Sequence, residues 1–463
     1  MSLKISVWCL PPVLLLAGCT SFQPDSALQA LNRDYQTQTG KPLTLAKNAK
    51  AREALRQQAA DLLAQPLQMN DAVALAVINS PAWQARLAAF WASSAHAAQD
   101  GRLQNPLFRF ERSASLNELD ITRALSLGLS DLLTLPLRQK NAAYALDSER
   151  LQLAADVCEL VLNTRQAWVN AVAARERLAY AVQVQGVAQA ASELAERMRK
   201  AGNFSRAQAS KEQLLSSEAA LQFSLAQQDE IRSREQLMRL LGLDEKQAGQ
   251  WQLPDRLPAL PQEPLTPEAV AGAVSSNRLD IRLATAELNR RLAAQGLGAI
   301  TSLTDIELTL KRETVFDTAS PPGQPTRTAE VAVRLPLFDS GDLQRDAMRA
   351  ETLAASYRLE SVMRSAASGL REAYGSYRND WDMAQHYRSV ILPLRQQLSE
   401  QNLLRYNGML IGVFDLMSDA REQMQSVSAA ISANQQFWLA DARLQTVMLG
   451  AATPVGRAAA RDE

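Results

Sequence analysis

The chain has 463 residues, with 49 lysines and arginines balanced by 49 aspartates and glutamates, two histidines and three cysteines. A balanced charge gives no bulk attraction to nucleic acid. His96 and His386 lie far apart, and with so few thiols they argue against a histidine- or cysteine-based metal site and read as polar positions on helices. No nucleophile motif, phosphate-binding glycine loop or metal cluster supports an enzyme.

Lys4 is followed by an apolar stretch from Ile5 to Leu16, then by Leu16-Ala17-Gly18-Cys19. The run is too short to span a bilayer and reads as an export signal. Cysteine at the first mature position resembles the bacterial lipobox, so residues 1–18 are expected to be a lipoprotein signal peptide, with a covalent lipid on Cys19 and no other cofactor. Thr20 follows rather than aspartate, which by analogy with lipoprotein sorting favours the outer membrane. Cleavage removes Cys9 and the lipid occupies Cys19, leaving Cys158 without a disulfide partner.

The mature chain repeats itself. "ALAVINSPAWQARLA" (74–88) resembles "AVAGAVSSNRLDIRLA" (269–284), "NTRQAWVNAV" (163–172) resembles "GLREAYGSYR" (369–378), and "LAERMRKAGNFS" (194–205) resembles "QNLLRYNGMLIG" (401–412). Trp168 to Tyr374 and Gly202 to Gly408 keep one spacing, and Asn79 to Asn277 is somewhat shorter. "SPPGQPT" (320–326) is the obvious loop to hold the extra residues. The expected divisions are an N-terminal lipidated and equatorial segment (19–68), a first repeat (69–243), a Pro-rich linker (244–266), a second repeat (267–450) and a tail (451–463). The core of the linker, "LPDRLPALPQEPLTP" (253–267), is stiff and poor in helix signals.

Each copy reads as helix, two strands, very long helix, sharp break, long helix. Between Leu137 and Ala201 there is no proline and only Gly186 interrupts, predicting a helix of roughly 100 Å at about 1.5 Å per residue. Phe204 to Leu241 and Asp415 to Leu449 lack both breakers and are rich in good helix formers. Such helices must lie along others as a coiled coil or a barrel wall.

Strands are predicted at about 106–130 and 302–337. "LFRFER" (107–112) sets Phe108 and Phe110 against Arg109 and Glu111. "LDITRALSLGL" (119–129) alternates likewise, with Arg123 interrupting the apolar side. In "TDIELTLKRE" (304–313) Ile306, Leu308 and Leu310 share a face, and in "TAEVAVRLPL" (328–337) Ala329, Val331, Val333 and Leu335 do. Period two suits a barrel strand with lipid outside, and equally a soluble sheet with one buried face. A count separates them: four strands cannot close a barrel, and open edges are not tolerated in hydrocarbon, so membrane strands must be pooled from several chains.

The layout resembles the TolC-like outer-membrane efflux factor family in its lipid-anchored branch. The resemblance rests on "RLPLFDSGDLQR" (334–345), similar to the family's strand-to-helix entry, and on two segments similar to its hairpin tips, "LRYNGMLIGVFDLMSDARE" (404–422) and "RMRKAGNFSRAQASKEQ" (197–213). It implies a mainly α, internally duplicated chain with a small membrane β-part. Long antiparallel helical hairpins would form a trimeric α-barrel, continued by a 12-stranded transmembrane β-barrel with four strands per chain. It implies outer-membrane localisation with a large periplasmic part. The expected partners are a homotrimer, outer-membrane lipid, a periplasmic adaptor and an inner-membrane transporter, with no nucleic acid. The tips, at about 200–206 and 406–415, would meet the adaptor through Gly202, Asn203, Ser205, Gly408, Met409 and Gly412, the two glycines at 202 and 408 allowing the backbone to leave the right-handed region. Ser205 is placed to cap the returning helix. Asp415 is expected to open the last helix and, with Asp419, to form the periplasmic gate. Ser418 and Gln208 stand where relatives carry aspartates. A different reading is a periplasmic coiled-coil adaptor or scaffold lipoprotein. Trp83, Trp91, Trp168, Trp381 and Trp438 read as packing residues, and Arg165 and Arg371 as solvated positions or inter-subunit partners.

Overall fold

The computed structural model describes residues 24–116, 118–249, 251–272, 278–301, 306–317 and 325–451. Cys19, Asn277, most of the 320–326 loop and nearly all of the tail lie outside them. The elements in chain order are α1 (Pro24–Thr39), α2 (Ala49–Leu63), α3 (Met69–Asn79), α4 (Pro81–Asp100), β1 (Leu107–Ala114), β2 (Glu118–Gly128), α5 (Leu129–Lys200), α6 (Arg206–Leu241), the short α7 (Glu245–Ala248) and α8 (Pro267–Ala271), α9 (Leu279–Thr301), β3 (Ile306–Asp317), β4 (Thr326–Val333), α10 (Asp342–His386), α11 (Leu392–Asn407) and α12 (Val413–Met448). No helix among the described residues is long and apolar enough to cross a membrane. Two compact units emerge, and each draws on both halves of the sequence.

The first unit (89–151 and 283–360) holds the sheet. Its four strands form an antiparallel meander, β1-β2-β3-β4, and β2 pairs with β3 from Glu118↔Asp317 to Gly128↔Glu307 although the two are far apart in sequence. Residues directly opposite one another share a face, so the register fixes two surfaces. One carries Phe108, Leu125, Leu310 and Ala329 in a row, then Leu127, Leu308 and Val331. The other carries Ser126 hydrogen-bonded to Thr309 (2.7 Å) and the Lys311–Glu313 ion pair (3.1 Å). Thr122 and Ala124, on this polar face, are buried, whereas Leu125, Leu310 and Val331 on the apolar face are 45%, 52% and 58% exposed. The exposed face of the sheet is the oily one.

The strands stop earlier than the sequence predicts, at Gly128 and Val333, leaving Leu129 and Leu335 beyond them. The helix after β2 also begins earlier, and Pro136 lies inside α5 rather than before it. Asp131 in the first turn complements the helix N-terminus, and its 2.7 Å ion pair with Arg138 spans the proline. Trp91 is another departure. It lies on α4 with 40% of its surface exposed rather than in a core.

The second unit (28–88, 152–282 and 361–451 among the described residues) is helical. Trp168 is fully buried and donates from Nε1 to the Leu67 carbonyl (2.7 Å), so both its ring and its polar handle are satisfied. The Asn79 side-chain amide donates to the carbonyls of Leu241 (3.1 Å) and Gly242 (3.0 Å), closing the end of α6. Gly242 turns there at φ 66°, where a Cβ would lie 2.5 Å from Pro81 Cδ, so only glycine fits. Farther along, Tyr377, Phe437, Leu370 and Leu444 form a core. The Pro-rich connector is bonded to this core's rim: Trp381 and Trp438 donate to the carbonyls of Pro261 (3.2 Å) and Pro258 (3.1 Å), and Leu265 N–H donates to the Tyr377 hydroxyl (3.1 Å). Between α10 and α11 one π turn, Tyr387–Ile391, precedes Pro393. The Leu392 N–H reaches back to the Tyr387 carbonyl. The extra residue in that turn accommodates a proline with no N–H to donate.

Arg165 corrects another expectation. It is half-buried on α5 and bonded to Gln445, not a solvated position, whereas Arg371 is exposed. Burial lowers the Arg165 pKa, opposed by Asp441. Asp441 is itself raised to about 6 by burial, against the pull of Arg165 and of the Gln445 amide at 2.7 Å. The folded carboxyl therefore holds its proton more tightly than the unfolded one. Its contribution to stability is present at acid pH and is lost as pH rises from about 4 to about 6. Asp441→Asn is expected to flatten that decline and to raise stability at neutral pH by up to about 3 kcal/mol relative to its effect at pH 4. Thermal unfolding of both proteins across this range checks it, and parallel curves would refute it.

Candidate functional site

Two features of the chain have the character of a site: the pair of helical tips and the two-faced sheet. At the first tip α5 ends in a Schellman turn. Asn203 N–H donates to the Met198 carbonyl (2.9 Å) and Gly202 N–H to that of Arg199 (3.1 Å), with Gly202 left-handed at φ 79°. Ser205 then caps α6: its hydroxyl accepts from Gln208 N–H (3.2 Å), and the Gln208 side chain accepts from Ser205 N–H (2.8 Å). Gln208 thus completes a capping box. Phe204 is buried beneath the turn.

The second tip makes the same turn with its residues shifted by one. Leu410 N–H donates to the Arg405 carbonyl (2.8 Å) and Met409 N–H to that of Tyr406 (2.9 Å). The left-handed residue is Met409, at φ 58°, whereas Gly408 sits at φ −81° in ordinary backbone. The expectation that Gly408 is the pivot is therefore corrected. Glycine stands one position too early to relieve the strain, and a long side chain occupies the left-handed site, at a cost of about 1 kcal/mol. That conformation holds Met409 out at 93% exposure, beside Leu404 at 71% and Leu410 at 73%. An apolar knob faces solvent there.

Asp415 lies one turn into α12, which opens at Val413 with Gly412 as its cap. Its Oδ2 accepts from Gly412 N–H (3.1 Å), so the carboxylate closes the tip and complements the helix N-terminus. Asp415 and Ser418 are exposed. Asp419 is buried, with Oδ2 lacking a partner among the described residues. Of the two acids assigned to a gate, only Asp415 is on the surface of the chain. In the groove between α5, α6 and α12 behind the tips, Glu212 is similarly buried and its Oε1 lacks a partner among the described residues.

On the sheet, Arg123 does interrupt the apolar face, and it is not alone. Arg123 stands opposite Arg312, and Arg312 opposite Arg327. The sequence signal for the last two was the same period of two: Arg312 follows Leu310 by two, and Arg327 precedes Ala329 by two. Cys158 takes no part in either feature. It is buried in α5, and desolvation pushes its thiol up to about 12. No cluster of metal-ligating residues occurs among the described residues.

The tips make opposite predictions for glycine. Gly202→Ala is expected to cost about 1 kcal/mol, because alanine resists the left-handed turn, and Gly408→Ala to be near neutral. Met409→Gly should stabilise by about 1 kcal/mol. Chemical unfolding midpoints measure all three, and a Gly408→Ala loss as large as that of Gly202→Ala would contradict the assignment.

No protein-family model matches the chain, and no curated protein sequence does. Solved structures do. The outer membrane protein VceC of Vibrio cholerae is 16% identical, with a TM-score of 0.68 over 83% of this chain and 96% of that one. The outer membrane channel MtrE of Neisseria gonorrhoeae, in its open state, is 17% identical, with a TM-score of 0.64 over 83% and 89%. For the Campylobacter jejuni outer membrane channel CmeC the identity is 15% and the TM-score 0.65, over 83% and 86%. The chain thus has the fold of these outer membrane channels, the one that its resemblance to TolC-like efflux factors implied.

Proposed function

We propose that the protein is the outer-membrane channel of a tripartite efflux system. Three copies form a passive duct that takes substrate from an inner-membrane transporter and a periplasmic adaptor to the outside, and Cys19 carries the lipid anchor. The observation that carries this reading is the sheet. Its exposed face is apolar, its opposite face is polar, and its outer strands β1 and β4 are paired on one side only among the described residues. A soluble protein gains nothing from exposing that face, and a lone four-stranded sheet has two unpaired edges that hydrocarbon does not accept. Three chains supply twelve strands, and β1 of one copy can pair with β4 of the next, which removes every edge.

The tips support the rest. The exposed Leu404, Met409 and Leu410 are suited to an adaptor's helical hairpin. Asp415, repeated three times around an axis, concentrates negative charge at the periplasmic mouth and favours cations.

The assembled protein is expected to run as a trimer on unheated gels and as a monomer after boiling. A detergent-free soluble monomer would overturn the channel and favour a scaffold. Asp415→Asn keeps the acceptor that caps α12 and removes the charge. It is expected to raise closed-state leak in planar bilayers and to lower cation preference, and unchanged currents would remove Asp415 from the gate.

A further inference from the structure

We infer that the apolar face of the sheet holds the phosphate group of a membrane lipid at its row of arginines. The inference rests on the channel reading above, in which this face meets lipid. Arg123, Arg312 and Arg327 stand directly opposite one another on three adjacent strands, all exposed. Like charges so placed repel. Among the described residues of the strands, no aspartate or glutamate shares their face. Glu111, Asp120, Glu307, Glu313 and Glu330 all fall on the other by register. The sheet therefore carries a concentrated positive charge with nothing on its own side to neutralise it.

The surroundings describe the missing partner. The three arginines and Phe108, Leu125, Leu310 and Ala329 line a shallow groove of ≈ 470 Å³. Guanidinium groups recognise phosphate oxygens bidentately, and the apolar residues beside them offer contact to acyl chains. Depth agrees. Arg327 is six residues from Val333, where β4 ends toward α10, which is about 20 Å along the strand and about 15 Å along a barrel axis at the usual tilt. Extended arginine side chains then reach close to the far interface of an apolar band about 25 Å tall. A bare arginine row would be unfavourable within that band, whereas one paired with a lipid phosphate at its edge is not.

The test uses the full-length protein in detergent, stripped of lipid, with native mass spectrometry of the assembled oligomer and single-channel recording in parallel. The probes are bisphosphorylated lipid A, the same lipid after phosphatase treatment, and inorganic phosphate. The wild type is expected to hold bisphosphorylated lipid A about tenfold more tightly than R123Q/R312Q/R327Q, with R312Q intermediate. The dephosphorylated lipid should bind poorly and inorganic phosphate should not displace the lipid. Equal retention by wild type and triple variant, with conductance intact, would overturn the lipid site and leave the channel standing. Displacement by inorganic phosphate would overturn it in favour of a free-anion site, and a changed oligomer with unchanged lipid would assign the row to contact between copies. Absence of conductance from the wild type would instead overturn the channel reading and the lipid site with it.

Discussion

Backbone amides and carbonyls at the margin of a sheet must find partners, and in hydrocarbon water cannot supply them. In the channel proposed above, that requirement governs the protein more than any side-chain contact. Among the described residues, a meander of four strands leaves β1 and β4 each half-paired, and the exposed face between them is apolar. The central pairing of β2 with β3 joins segments nearly two hundred positions apart, so each half of the sequence contributes to the same sheet. The compact units consequently cut across the halves instead of following them.

Much of this was legible in the sequence, because the signals were long or periodic. Alternation of two put Phe108, Leu125, Leu310 and Val331 each on the apolar side of its own strand, and the register brings those sides onto one face. Unbroken runs of helix formers marked α5, α6 and α12. The failures came where one residue type has two possible uses. Pro136 reads as a stop, yet α5 runs through it, with the Asp131–Arg138 ion pair on either side. Gly408 reads as a pivot, yet the turn places its left-handed residue at Met409, and no local pattern marks a methionine for that role. Arg165 reads as a solvated charge, and only three-dimensional packing puts Asp441 and Gln445 beside it.

The tips show how far such an account extends to function. Both are closed by the same hydrogen-bond pattern, but one relies on glycine and a side-chain capping box, the other on a strained methionine and an aspartate. Strain held at a surface turn marks a position shaped by something other than the stability of the turn itself. The exposed methionine and its leucine neighbours are what that strain presents. Asp419, by contrast, has the right residue type near the right place and is buried. Residue type and spacing identify candidates, and exposure decides among them.

The buried thiol of Cys158 has a practical meaning. Deep in α5, with its proton held to about 12, it presents almost no thiolate at neutral pH and little access to reagents. Maleimide and spin-label probes introduced by single cysteines elsewhere in the folded protein would then report from their own positions, with the Cys158 sulfur left in place as a silent background.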